Sequence, residues 1–98
     1  MTVSYELRLH QQELGVIEQM DLDKDRWIQV LEEVATNRNI LSHPKVEKLE
    51  NTEIAKVRTG DYRTFVQRDG RYLNILMVRH RKNAYRDVET AVARAGDF

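Results

Sequence analysis

Hydrophobic and polar residues alternate near the start of the chain. The apolar positions are Val3, Tyr5, Leu7 and Leu9, and each residue between them is polar. Because successive side chains of a β-strand point to opposite faces of a sheet, this period of two predicts a strand with one buried face and one face in solvent.

Two stretches with helical spacing follow this strand. Apolar residues recur at every third position within residues 11–20, which predicts a short helix that Gly15 weakens. A stronger pattern of the form i, i+3, i+4, i+7 is made by Trp27, Val30, Leu31 and Val34. It predicts a second helix that ends near residue 37, with Asp21 or Asp23 as its cap and its apolar stripe against a sheet.

The second half of the chain is rich in β-forming residues. Three runs, at residues 54–58, 62–68 and 72–79, are separated by a turn around Gly60 and by the pair Asp69-Gly70. Because Asp-Gly favours a two-residue hairpin turn, the runs are predicted to form an antiparallel meander. The positions expected in the core of this meander are Tyr62, Phe65, Leu73, Ile75 and Met77.

The remaining segments connect and close this arrangement. Residues 37–44 are predicted to form a loop that ends at the single proline, and residues 46–49 a short helical turn. A helix is predicted within residues 83–95, with a shared apolar face made of Tyr85, Val88 and Val92. The order predicts an α+β fold: an N-terminal strand, two helices packed on one face of an antiparallel four-stranded sheet, and a short C-terminal helix.

Length and composition narrow the class of protein. A chain of 98 residues suits one hydrophobic core, which predicts a single domain over residues 1–98. The sequence contains no cysteine, which excludes disulfides and fits a reducing compartment. It also lacks an apolar run of membrane-spanning length and a start typical of a signal peptide, so the expected location is cytoplasmic.

The charges are unevenly distributed although the formal net charge is zero. Residues 1–53 carry six basic and eleven acidic side chains, whereas residues 54–98 carry ten and five. The contrast is greatest within residues 54–86, with nine basic and two acidic side chains. This distribution predicts a positive face in the second half that suits a phosphate-bearing ligand.

Two motifs stand within this basic region. Lys48-Leu49 is followed at residues 54–63 by IAKVRTGDYR, and residues 78–85 read VRHRKNAY. The first resembles the K-L … G-x-Y-R signature of the RelE/ParE toxin superfamily, and the second is similar to its closing G-H-R-x-x-x-Y. The resemblance covers about residues 44–87, and a strand followed by two helices is what the superfamily has upstream.

The resemblance implies a RelE-like toxin of a type II toxin–antitoxin system. Such a toxin cleaves ribosome-bound mRNA through metal-independent attack by the 2′-hydroxyl of the RNA, with basic side chains stabilising the phosphate. The implied catalytic residues are Lys56, Arg63, Arg81 and Tyr85. The implied RNA-binding residues are Arg58, Arg79, His80 and Lys82. The implied partners are a cognate antitoxin, the ribosome and mRNA, with DNA reached only through the antitoxin and with no cofactor.

Two other functions stay open on the sequence. A ParE-type toxin that binds gyrase without catalysis, or an inactive RelE-fold binding module, would fit the zero net charge. The set of basic and aromatic residues favours the nuclease, because ParE-like relatives tend to lack it. A protein that binds duplex nucleic acid is disfavoured, because no recognition helix is evident.

A spacing that suggests a calcium loop has a simpler explanation. Its positions 1, 3, 5 and 12 are Asp21, Asp23, Asp25 and Glu32. Position 6 is Arg26, where the sharp turn of a calcium loop requires glycine, and a helical stripe crosses the segment. Acidic residues near a helix start account for the pattern, and no metal site is predicted.

Overall fold

A mixed five-stranded sheet forms the centre of the structure, a computed structural model that describes residues 4–98. Its strands in chain order are β1 (Glu6–Leu9), β2 (Val46–Lys48), β3 (Ile54–Thr59), β4 (Tyr62–Asp69) and β5 (Tyr72–His80). Their spatial order is β1-β5-β4-β3-β2. The helices are α1 (Leu14–Glu18), α2 (Lys24–Ala35) and α3 (Val88–Arg94), with 3₁₀ turns at Gln11–Glu13 and Ile40–Ser42. Val3, predicted to start the first strand, lies outside the described residues.

The α+β class is confirmed, but the sheet differs from the predicted antiparallel four-stranded one. The strand β1 runs parallel to β5, with Leu9 opposite Ile75, so the sheet is mixed. The predicted helical turn at residues 46–49 is wrong, because β2 pairs there with β3 as a fifth strand and Val46 lies opposite Val57. Three residues are too few to show a period of their own, and the backbone groups of β2 are satisfied by pairing with the next strand, β3.

The predicted meander is confirmed, and it contains one irregularity. Gly70 has the positive φ of 59° that a tight turn between β4 and β5 requires. Phe65 lies opposite Met77, whereas Val66 lies opposite Ile75, so Leu76 is left without a partner across the ladder. At this bulge Leu76 and Met77 both join the core on the same face of the sheet.

Helices cover both faces of the sheet. The α1–α2 face buries the predicted stripe of α2, namely Trp27, Val30, Leu31 and Val34, and Asp23 caps the helix by accepting a hydrogen bond from the Arg26 amide. The α3 face has a second core made of Ile54, Phe65, Leu76, Met77, Ala84 and Ala91. Of the predicted core positions, Phe65, Leu73, Ile75 and Met77 are buried, and Tyr62 is half-buried.

The closing helix is shorter than predicted. It begins at Val88, and the residues before it form turns. Only Val88 of the predicted apolar face packs on the core, because Tyr85 precedes the helix and is 74% exposed, and Val92 is 48% exposed. Tyr85 is therefore free of the core.

A buried hydrogen bond ties α2 to the sheet and leads to a first prediction. The Trp27 Nε1–H donates to Thr64 Oγ1 at 2.8 Å. We expect Trp27→Phe to lower the free energy of unfolding by about 2 kcal/mol, because the Thr64 hydroxyl loses its donor. Urea denaturation measures this loss. Adding Thr64→Val to Trp27→Phe should recover part of the lost stability, because no hydroxyl is then left without a donor. If the losses of the two single variants simply added in the double variant, the hydrogen bond between Trp27 and Thr64 would be contradicted.

Candidate functional site

One end of the sheet carries a row of cations on its α3 face. Arg58 on β3 lies opposite Arg63 on β4, and Arg63 lies opposite Arg79 on β5. Lys56 precedes Arg58 by two residues on β3, so both share this face, while Val57 between them belongs to the core on the α1–α2 face. Strand alternation thus places the charged row on the face of the sheet opposite the core that packs against α1 and α2.

Lys56, Arg58 and Arg63 border a cavity of about 320 Å³, which we call the basic pocket. It is lined by Pro44, Lys45, Val46, Glu47, Lys56, Arg58, Arg63, Arg81, Ala84 and Tyr85. The pocket brings together all four predicted catalytic residues and the predicted RNA-binding residue Arg58. Its two other charged lining residues, Lys45 and Glu47, were not predicted from the sequence.

Lys56 lies at the junction of three contacts in the basic pocket. Its side chain is only 14% exposed, and its Nζ donates to the Tyr85 hydroxyl at 3.2 Å. The same ammonium lies 4.9 Å from the centroid of the Tyr85 ring and 3.7 Å from Glu47 Oε2. Glu47 is opposite Lys56 in the β2–β3 pairing. Because Tyr85 is largely exposed, its ring can still stack on a ligand.

The β3–β4 turn orients the two arginines of the pocket. Arg63 Nη1 donates to the carbonyl oxygens of Gly60, at 2.9 Å, and Tyr62, at 3.0 Å. Arg81 donates its backbone N–H to the Asp61 carbonyl at 2.7 Å, and its Nε lies 3.6 Å from Asp61 Oδ1. Both guanidinium groups are therefore directed by a tight turn, and a planar guanidinium fork suits phosphate oxygens.

Three predicted RNA-binding residues lie outside the lining of the basic pocket. Arg79 is 17% exposed at its side chain, and its guanidinium is paired with Glu13 and Asp87, so the geometry favours a structural role over the predicted RNA contact. His80 packs edge to face on Tyr62, and its Nδ1 accepts a hydrogen bond from the Lys82 amide. Lys82 is exposed.

A buried ion cluster around Glu13 lies outside the lining of the basic pocket and was not predicted. Glu13 is fully buried, and its carboxylate accepts hydrogen bonds from Arg79, from Arg94 at 2.6 Å and from the Val78 amide at 2.8 Å. Arg79 Nε also donates to Asp87 Oδ2 at 3.1 Å. Burial raises the pKa of Asp87, but the hydrogen bonds from Arg86 and Arg79 outweigh burial and hold that pKa below its ordinary value.

The described residues contain neither a metal-binding cluster nor a membrane-spanning helix. Within residues 4–98, no group of three or more His, Cys, Asp or Glu side chains is placed to hold a metal ion. None of the helices in that range has the length and apolar character needed to cross a bilayer.

The chain resembles known proteins in structure but not in sequence. No family model and no curated protein matches the chain in sequence. A chain of the RelB–RelE antitoxin–toxin complex from Methanococcus jannaschii aligns with a TM-score of 0.64 and 16% identity, over 80% of this chain and 94% of that one. A chain of the RelBE2 toxin–antitoxin complex from Mycobacterium tuberculosis aligns with a TM-score of 0.53 and 19% identity, over 80% and 99%. Together with the strand order and the two-faced sheet, these alignments show that the chain has a RelE-like fold.

Proposed function

We propose that this protein is the toxin of a type II toxin–antitoxin module and cleaves ribosome-bound mRNA without a metal ion. The observation that supports this most is the convergence of Lys56, Arg63, Arg81 and Tyr85 on one basic pocket. The likeness to chains of two toxin–antitoxin complexes supports the toxin role. A basic, solvent-open cavity beside an exposed aromatic ring suits a single-stranded RNA segment.

The reaction is an internal phosphoryl transfer. The 2′-oxygen of the RNA attacks the adjacent phosphorus, the bond from phosphorus to the 5′-oxygen breaks, and a 2′,3′-cyclic phosphate and a 5′-hydroxyl result. One proton leaves the 2′-hydroxyl and one is delivered to the 5′-oxygen, so the reaction needs a base, an acid and positive charge near the phosphate.

The side chains of the basic pocket can be assigned to these tasks. Arg63 and Arg81 hold the phosphate oxygens. Glu47, the acidic residue of the lining, accepts the proton of the 2′-hydroxyl, and Lys56, 3.7 Å from it, stabilises the developing charge and supplies a proton to the 5′-oxygen. Tyr85 stacks on a base of the RNA.

The partners follow from the same proposal. An antitoxin would neutralise the toxin by placing acidic side chains over the basic pocket or by adding a strand to a sheet edge. The ribosome would present the mRNA, and DNA would be contacted only through the antitoxin. Gyrase inhibition without RNA cleavage is the other outcome to be tested, since the net charge of the chain is zero.

Primer extension on a translated mRNA after induced expression tests the proposed nuclease. Wild type should give cuts that follow the codon phase. Arg81→Ala should lower the cleavage rate about tenfold, because it removes one charge-assisted hydrogen bond worth about 1.5 kcal/mol. The matched control is Arg68→Ala, an exposed arginine of β4 outside the pocket lining, which should cut like wild type.

A supercoiling assay on purified gyrase separates the alternatives. Inhibition of gyrase by wild type, together with no mRNA cuts, would contradict the proposed nuclease and favour a ParE-type toxin. Cuts that persist unchanged in Arg81→Ala would instead contradict the assignment of the pocket.

A further inference from the structure

The segment that carries Tyr85 is held at both ends by hydrogen bonds to residues outside the lining of the basic pocket. We call residues 81–87 the Tyr85 segment. Its first residue, Arg81, donates a backbone hydrogen bond to the Asp61 carbonyl. Its last residue, Asp87, bonds to Arg79 on β5 through its side chain at 3.1 Å. Both ends are thus held by residues outside the segment itself.

Tyr85 itself is weakly held. It is 74% exposed, and its side chain makes a hydrogen bond and a cation–π contact with Lys56. Because an exposed ring gains little from packing, its position over Lys56 depends on the backbone of the segment. Ala84, buried at 2% exposure, anchors the middle of that backbone, and Asp87 lies two residues beyond Tyr85.

Of the contacts at the two ends of the Tyr85 segment, the one between Asp87 and Arg79 is the better placed to hold the backbone near Tyr85. The Asp87 side chain is 25% exposed and the Arg79 side chain 17%, so their ion pair is well shielded. Arg79 is in turn fixed by the buried carboxylate of Glu13 and by the Val78 carbonyl at 2.7 Å. The second partner of Asp87, Arg86, is 71% exposed and contributes far less rigidity.

We propose that Asp87 and Arg79 are positioning residues that hold the Tyr85 segment over Lys56. This inference rests on the proposed nuclease function. Glu13 accepts from Arg79 Nη1 and Asp87 accepts from its Nε, so Arg79 links the buried ion cluster to the Tyr85 segment. The role of Arg79 is then to place Tyr85, and it touches no RNA.

Cleavage kinetics with the purified toxin and ribosome-bound mRNA test the positioning role. Asp87→Asn should lower kcat about tenfold and leave KM within about twofold, because Arg63 and Arg81 still bind the phosphate while the ring loses its position. Adding Asp87→Asn to Tyr85→Ala should cause no further loss of kcat. The matched control, Arg86→Gln, removes only the exposed partner of Asp87 and should keep the wild-type kcat.

Amide hydrogen exchange gives a readout that needs no activity. The Asp87 and Val88 amides donate within the Tyr85 segment to the Asn83 and Tyr85 carbonyls. Their exchange should accelerate about tenfold in Asp87→Asn and stay unchanged in Arg86→Gln. If Asp87→Asn does not fold, Arg79→Lys, which keeps the charge but loses the guanidinium fork, replaces it in both assays.

The two hypotheses fail in different ways. Wild type that cleaves no RNA would contradict the proposed function, and the exchange rates would then decide the positioning role alone. Exchange that is unchanged in Asp87→Asn, or losses of kcat that add fully to those of Tyr85→Ala, would overturn the positioning role while leaving the nuclease intact.

Discussion

Replacing Glu13 by glutamine should lower the free energy of unfolding by about 3 to 5 kcal/mol. The Glu13 side chain is fully buried between Arg79 and Arg94, whose side chains are 17% and 13% exposed. Glutamine keeps the shape and can still accept from the Val78 amide, but it removes the negative charge shared by two shielded guanidinium groups. Breaking one partner of a buried ion pair is costly because the remaining charge stays desolvated.

Chemical denaturation of wild type and Glu13→Gln measures this loss. The control is Glu18→Gln, an exposed carboxylate on α1 that should change stability by less than about 0.5 kcal/mol. Adding Arg94→Met to Glu13→Gln should cost less than the two single losses combined, because it removes one of the unpaired charges. A loss below about 1 kcal/mol in Glu13→Gln would show that the cluster contributes little to folding.

Replacing Lys56 by methionine should reduce the rate of RNA cleavage by about 10²- to 10³-fold. The Lys56 side chain is only 14% exposed, and it contacts both Glu47 and Tyr85. Methionine keeps the length of the stem and loses the ammonium that we assign to charge stabilisation and proton transfer. The loss should fall on kcat, since that charge acts mainly on the transition state.

Single-turnover cleavage of ribosome-bound mRNA measures the chemical step directly. Lys48→Met is the matched control, because Lys48 lies on β2, is exposed and does not line the basic pocket. It should cleave at the wild-type rate. Equal rates for Lys56→Met and Lys48→Met would remove Lys56 from the catalytic assignment, and circular dichroism of both variants would establish that each is folded.

Much of the candidate site could be predicted because its residues lie on regular, local patterns. Lys56 and Arg58 alternate with core residues of β3, and the motif that ends at Arg63 crosses the tight turn at Gly60. Their convergence with Arg81 follows from an antiparallel meander whose hairpins are short. Short hairpins place residues that are close in sequence on neighbouring strands, so local sequence patterns are enough to predict that these side chains lie close together.

The positions of Glu47 and Arg79 could not be predicted from the sequence. Glu47 enters the pocket because β2 pairs with β3, and three residues at a sheet edge carry no periodic signal of that pairing. Arg79 stands in a basic motif and was predicted to bind RNA, yet its guanidinium is paired with Glu13, 66 residues earlier. A sequence motif gives the charge of a side chain but not the distant partner that engages it.

The sequence alone determined the amphipathic helix α2, the three-stranded meander and the basic character of residues 54–86, since each depends on the spacing of neighbouring residues. Tertiary structure decided the parallel pairing of β1 with β5, the edge strand β2 and the buried cluster of Glu13, Arg79 and Arg94. The bonds of that cluster join residues 66 and 81 positions apart. Periodicity reports which side of an element a residue occupies, whereas the partner across the core is fixed only when the chain has folded.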